Sequence, residues 1–123
     1  MQTILVVDDE FGVVEVLTAA LEDEGYRVIT AANGRHGLER LKEGLPDLVI
    51  LDFMMPILDG PAMAKAMKSN PAFAKIPIVM TSAVAESSLR ERFDAYDAFL
   101  RKPFRADVLV KLLKNLLGTP IAQ

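Results

Sequence analysis

Apolar residues gather in five short runs along the chain, and the longer segments between these runs mix polar and apolar residues. Within the runs, Val, Ile and Leu follow one another with little alternation, which is typical of strands covered on both faces of a sheet. The pattern therefore predicts five buried strands, over residues 3–7, 27–31, 48–51, 76–81 and 98–101.

The segments between the strands carry apolar residues at the helical spacing of three and four positions. Helices are predicted over residues 10–24, 33–43, 59–69, 86–94 and 105–117. The residues predicted to face the core are Val13, Val14, Leu17, Leu21, Leu38, Leu41, Ala62, Met63, Ala66, Met67, Val108, Leu109, Leu112, Leu113 and Leu116. Core filling is also the interpretation of Met54, Met55 and Met80.

Strands that alternate with helices indicate an α/β fold with a parallel sheet. Right-handed crossovers with helices on both faces make such a domain doubly wound. For five strands, the flavodoxin-like order 2-1-3-4-5 is predicted. Residues 1–118 form the predicted domain, and residues 119–123 form a C-terminal tail.

Composition and charge exclude several kinds of site and partner. The 123 residues include no cysteine, which excludes disulfides and thiolate metal sites. A net charge of −3 argues against a nucleic-acid-binding surface. No apolar run approaches the length of a membrane span. We expect a cytoplasmic protein that contacts neither nucleic acid nor membrane.

Polar side chains follow four of the predicted strands at the point where each strand ends. Because the carboxyl ends of parallel strands meet at one edge, and ligands bind there at the switch point between strands one and three, these side chains are candidate site residues. They are Asp8, Asp9, Asp52, Thr81, Ser82 and Lys102.

Three carboxylates so close together cannot all stay ionised without a cation. Oxygen ligands suit a hard metal, and Mg²⁺ typically takes one or two carboxylates and recruits a phosphate. A carboxylate can also act as a nucleophile and form an aspartyl phosphate. Lys102 would offer a positive charge to phosphoryl oxygens, and Ser82 a hydroxyl.

Four motifs in this order, "ILVVDDE", "PDLVILDFMMPILDG", "IPIVMTSA" and "FLRKPF", resemble the receiver domain of bacterial two-component response regulators. The resemblance covers about residues 3–117. It implies that Asp52 is the phosphoacceptor. It also implies that Asp8, Asp9, Asp52 and the main-chain carbonyl of Met54 hold Mg²⁺.

The same resemblance assigns the residues that respond to phosphorylation. Ser82, rather than Thr81, matches the switch hydroxyl, because Ala83 follows it as the small residue of the family. Lys102 matches the lysine that pairs with the phosphoryl group, and its bond to Pro103 is cis in the family. Phe99 matches the aromatic switch residue.

The implied function is signalling rather than enzymatic turnover. A histidine kinase or histidine phosphotransfer protein would donate the phosphoryl group, and the fourth helix, fifth strand and fifth helix would present a changed face to a downstream protein. We expect a monomer or weak dimer, with a single-domain regulator of the chemotaxis kind favoured over a piece of a longer protein.

Two alternatives and one departure from the family pattern remain. A phosphorylation-independent interaction module could share the fold, although such modules usually lose the acceptor, the acidic pair or the lysine. A Mg²⁺-dependent phosphatase often has a second acid where Met54 stands. The stretch from Ser82 to Lys102 is shorter than in most family members and lacks the usual glycine, which predicts a shortened fourth helix.

Overall fold

The computed structural model describes residues 1–118, so the predicted tail over residues 119–123 lies outside the described part. Five strands alternate with five helices. In chain order they are β1 (Thr3–Val7), α1 (Phe11–Asp23), β2 (Arg27–Ala31), α2 (Gly34–Glu43), β3 (Leu48–Asp52), α3 (Gly60–Ser69), β4 (Ile78–Ser82), α4 (Glu86–Arg90), β5 (Ala98–Arg101) and α5 (Ala106–Leu117).

The strands form one parallel sheet in the order β2-β1-β3-β4-β5. Every residue of β3 and β4 is buried, because helices cover both faces of the central strands. The flavodoxin-like, doubly wound architecture predicted from the alternation of elements is therefore confirmed.

Alternate residues of each strand feed two separate cores. In β1, Leu5 and Val7 pack into the core under α2, α3 and α4, whereas Ile4 and Val6 pack into the core under α1 and α5. This arrangement explains why β1 is apolar from Ile4 to Val7, because both faces of this part of the strand are interior.

Two predicted boundaries were wrong by more than one residue, the start of the fourth strand and the end of the fourth helix. The fourth strand runs over Ile78–Ser82 rather than residues 76–81, and Pro77, which has no N–H to donate, directly precedes it. The fourth helix ends at Arg90 instead of continuing to residue 94. Phe93, just beyond, is buried in the core instead. The departure from the family pattern predicted a shortened fourth helix, and α4 is short in the structure.

Three predicted core residues lie in solvent. Val108 and Leu116 are exposed because α5 packs against α1 and the sheet, which leaves the outer flank of its apolar stripe uncovered. Met54, in the loop after β3, is 65% exposed and fills no core. Within residues 1–118, no helix has the length and hydropathy that a membrane crossing requires.

Candidate functional site

Two buried aspartates meet at the carboxyl-terminal edge of the sheet, where β1 and β3 lie side by side. Val7 pairs with Leu51, so Asp8, which follows β1, and Asp52, which ends β3, reach the same level. The N–H of Asp8 donates to the carbonyl of Ala31 at 3.1 Å and so continues the pairing with β2. Both aspartates are almost fully buried.

Lys102, after β5, places its ammonium group between three carboxylates. Its Nζ lies 2.8 Å from Asp8 Oδ2, 3.0 Å from Glu10 Oε1 and 3.2 Å from Asp52 Oδ1. The N–H of Lys102 donates to the carbonyl of Ser82 at 2.7 Å, which anchors the residue to β4. The bond from Lys102 to the following proline is cis, as the resemblance implied.

Burial and charge set the protonation of this group. Burial, followed by the neighbouring charge of Asp8, raises the pKa of Asp52 to about 6, although Lys102 opposes the shift. Burial alone would lower the pKa of Lys102. Its hydrogen bonds to Asp8 and Glu10 and the charges of Asp52 and Asp8 outweigh burial, so the pKa of Lys102 is raised. At neutral pH, Asp52 is therefore mostly ionised beside a charged lysine.

The oxygens that could hold a metal ion come from Asp8, Glu10 and Asp52, whose ligand atoms all lie within 4.8 Å of one another. An all-oxygen donor set of this kind fits Mg²⁺. Asp9, predicted as the second member of the acidic pair, is exposed and lies outside this close group. It lines a neighbouring cleft of about 340 Å³ together with Met54.

Glu10 is the site residue that the sequence interpretation missed. The signal was present, because "DDE" contains a third acid, but the family pattern assigns only the pair before it. Its carboxylate reaches Lys102 across the site, and no sequence spacing predicts this contact between residues 92 positions apart.

Two hydroxyls at the end of β4 face the site differently. The Thr81 hydroxyl donates to Asp52 Oδ1 at 3.4 Å, a contact not predicted. The Ser82 oxygen accepts from the N–H of Val84 at 3.0 Å. Ser82 nevertheless lines a cavity of about 100 Å³ together with Asp52 and Lys102.

The loop between β3 and α3 folds back tightly on Asp52. The N–H of Gly60 donates to the carbonyl of Phe53 at 3.0 Å. A Cβ at position 60 would lie 2.2 Å from the carbonyl oxygen of Asp52, so only glycine fits there. Asp59 caps α3 by accepting from the N–H of Ala62 at 3.0 Å.

The predicted aromatic switch residue is tied to α4 through a second ring. Phe99 is half-buried, and Tyr96 meets it edge-on with ring centroids 6.4 Å apart. The Tyr96 hydroxyl donates to Glu86 and accepts from Arg90 Nε at 3.1 Å. A chain of contacts thus runs from β5 to both ends of α4.

Comparison with known proteins gives a consistent result. Residues 4–114 match the family model of the response regulator receiver domain. Response regulator Rre1 of Synechocystis is 39% identical over 121 residues, which cover 94% of this chain and 52% of that protein. The chain spans about half the length of the curated relatives it matches.

Solved structures agree with this assignment. Chemotaxis protein CheY4 of Vibrio cholerae is 30% identical, with a TM-score of 0.87 and coverage of 95% of this chain and 99% of that one. TrrA of Thermotoga maritima, solved in complex with Mg²⁺ and BeF, is 35% identical, with a TM-score of 0.86 and coverage of 95% and 100%. From its motifs, its sheet order and these matches, the chain belongs to the response regulator receiver domain family.

Proposed function

We propose that this receiver domain accepts a phosphoryl group on Asp52 in a Mg²⁺-dependent reaction and passes the signal on through a changed surface. The observation that carries the proposal is the convergence of Asp8, Asp52 and Lys102. Two buried carboxylates and one lysine within 3.2 Å of each carboxylate form a site with the charges that a metal ion and a phosphoryl group require.

Four groups would hold the metal ion. Asp8 and Asp52 offer buried oxygens, Asp9 would act from the exposed rim through water, and Met54 would contribute its main-chain carbonyl. When bound, Mg²⁺ supplies neutralising charge for the transferring group. The acidic group of the site supports this assignment, because Mg²⁺ typically keeps several waters beside one or two carboxylates.

In the transfer step, an ionised Asp52 oxygen attacks the phosphorus of a phosphohistidine. A P–O bond to Asp52 forms as the P–N bond to the histidine breaks, and the imidazole leaves with the electron pair. Lys102 would then pair with phosphoryl oxygens. Almost all the groups that act are the receiver's own, so a small donor such as acetyl phosphate should also serve.

The response would begin at Ser82 and end at Phe99. The new phosphoryl group adds charge and acceptor oxygens beside the Ser82 hydroxyl. A hydrogen bond to a charged group is worth about 1.5–3 kcal/mol, which shifts a two-state equilibrium by roughly ten- to a hundredfold. Phe99 would rotate, and the face formed by α4, β5 and α5 would change.

The proposed partners follow from this chemistry. The phosphoryl donor would be a histidine kinase or a histidine phosphotransfer protein. The downstream target would be a protein that binds the face formed by α4, β5 and α5. The reaction is self-modification rather than turnover of a free substrate. As part of the same proposal, the chain works in the cytoplasm as a monomer or weak dimer.

Intact-mass measurement tests the proposal directly. Wild-type protein incubated with acetyl phosphate and Mg²⁺ should gain one phosphoryl group, and the gain should disappear with EDTA. Asp52→Asn should gain none. Asp23→Asn, the same substitution at an exposed position of α1, should label like the wild type. Labelling of Asp52→Asn at the wild-type rate would refute the choice of acceptor.

A further inference from the structure

Glu10 is not among the four groups proposed to hold the metal ion, yet it makes an ion pair with Lys102 inside the site. Its Oε1 lies 3.0 Å from Nζ of Lys102, whose side chain is only 12% exposed, whereas the Glu10 side chain is 60% exposed. Glu10 therefore holds the lysine from the solvent side, opposite the buried oxygens of Asp8 and Asp52.

Helix capping does not account for this residue. Glu10 occupies the N-cap position of α1, where Ser, Thr, Asp and Asn are preferred, and its side chain accepts no hydrogen bond from the helix. Its own N–H instead donates to Asp8 Oδ1 at 2.9 Å, which fixes the backbone of Glu10 beside the site. The carboxylate is then free to extend to Lys102.

Three carboxylates surround the ammonium group of Lys102: Asp8 and Glu10 accept hydrogen bonds from it, and Asp52 forms an ion pair with it. A lysine has three N–H donors, and three carboxylates lie within 3.2 Å of Nζ. A phosphoryl oxygen that pairs with Lys102 therefore competes with these carboxylates for the ammonium group. In the proposed function, Asp8 and Asp52 turn to the metal ion and the transferred group, so Glu10 is the carboxylate left to compete.

We propose that Glu10 is a positioning residue, which holds Lys102 in the resting domain and competes with the phosphoryl group for its ammonium. The inference rests on the proposed function of the site. It predicts two effects of opposite sign for Glu10→Gln. Loss of a negative charge weakens Mg²⁺ binding, whereas release of Lys102 strengthens binding of a phosphoryl mimic once Mg²⁺ is saturating.

Calorimetric titrations can separate the two effects. Mg²⁺ is titrated first, and beryllofluoride is then titrated at saturating Mg²⁺. Glu10→Gln should bind beryllofluoride roughly two- to fivefold more tightly than the wild type, the range expected from one solvent-facing ion pair. Glu15→Gln is the matched control, because Glu15 is an exposed acid of α1 whose side chain makes no ion pair or hydrogen bond within residues 1–118.

A second readout reports on Lys102 itself. The three carboxylates shield its ammonium protons from water, so their NMR signal should exchange slowly in the metal-free wild type. Glu10→Gln should accelerate that exchange, and Glu15→Gln should leave it unchanged. A residue that merely stabilised α1 would not alter exchange at Lys102.

The outcomes distinguish this inference from the proposed function. If the wild type fails to bind beryllofluoride with Mg²⁺, the proposed function falls, and the role of Glu10 falls with it. If the wild type binds and Glu10→Gln matches Glu15→Gln in both readouts, the competition does not exist. If Glu10→Gln weakens both Mg²⁺ and beryllofluoride, Glu10 belongs to the metal site, and the inference is overturned.

Discussion

The ammonium nitrogen of Lys102 lies 3.2 Å from Oδ1 of Asp52 and neutralises part of the charge that burial makes costly there. Without this cation, Asp8 and Asp52 would face each other as buried like charges. Removing one partner of a buried ion pair is strongly destabilising, although the solvent-facing side of this cluster reduces the effect.

Lys102→Gln should therefore lower the free energy of unfolding by about 1–3 kcal/mol at pH 7 without Mg²⁺. The deficit should shrink when Mg²⁺ is added, because a bound cation replaces the lost charge. Urea denaturation gives both values. Lys114→Gln is the control: it breaks an exposed pair with Glu24 and should cost less than about 1 kcal/mol.

The pKa of Asp52 predicts a second effect, on the pH dependence of stability. Its value of about 6 in the folded domain exceeds the ordinary 3.8. Between these values the folded domain binds more protons than the unfolded chain, so this contribution to stability is present at low pH and lost as pH rises through 6.

Asp52→Asn has no carboxyl group at this position to ionise, so it does not lose stability in this way as the pH rises. Without Mg²⁺ it should be more stable than the wild type at pH 7, by about 1–2 kcal/mol after allowance for solvent screening. The difference should vanish below about pH 4. Unfolding curves measured across this range, with Asp23→Asn as the matched variant, test the prediction. A constant difference at every pH would contradict it.

The third prediction concerns the loop that follows Asp52, the proposed phosphoacceptor. Gly60→Ala would place a Cβ 2.2 Å from the carbonyl oxygen of Asp52. Because this oxygen belongs to the backbone, it cannot move aside as a flexible side chain could. We expect Gly60→Ala to lower the free energy of unfolding by about 1–3 kcal/mol. Phosphorylation should also be slower, because Asp52 itself must shift. Gly12→Ala meets no atom within 4 Å and should stabilise α1 by about 0.5–1 kcal/mol. Equal stability of the two variants would contradict the account.

The fourth prediction concerns the tie between β5 and α4. Tyr96→Phe keeps the ring contact with Phe99 but removes the hydroxyl shared by Glu86 and Arg90. Amide hydrogen exchange in α4 should accelerate by roughly two- to tenfold, the effect of losing about one hydrogen bond, whereas β4 should be unchanged.

Tyr26→Phe controls for the loss of a tyrosine hydroxyl. The Tyr26 hydroxyl is buried without a hydrogen-bond partner in the described structure, so removing it should leave exchange in α4 unaltered. If Tyr96→Phe behaves in the same way, the hydroxyl does not hold α4, and the coupling between Phe99 and that helix must run elsewhere.

The sequence predicted the fold well because the buried strands leave an unmistakable pattern. Continuous apolar runs in β1, β3 and β4 reflect burial on both faces, and the polar residues at or directly after the strand ends mark the site. The predicted burial of Met54 was wrong, because hydrophobicity does not reveal whether a loop side chain finds a partner.

Contacts between distant elements were beyond sequence reasoning for a different reason. Glu10 meets Lys102, and Arg92 pairs with Asp59 at 2.9 Å, only because the sheet order and the short α4 bring them together. Neither contact has a periodicity or local spacing. The same limit applies to Thr81, whose hydroxyl reaches Asp52 although its neighbour Ser82 matches the family motif.

Chemical trapping of the modified residue tests the central claim most directly. Borohydride reduces an aspartyl phosphate to homoserine, which peptide sequencing by mass spectrometry locates. After treatment with acetyl phosphate and Mg²⁺, we predict homoserine at position 52 and at no other aspartate. Homoserine at another position, or none at position 52 in protein that carries label, would contradict the account.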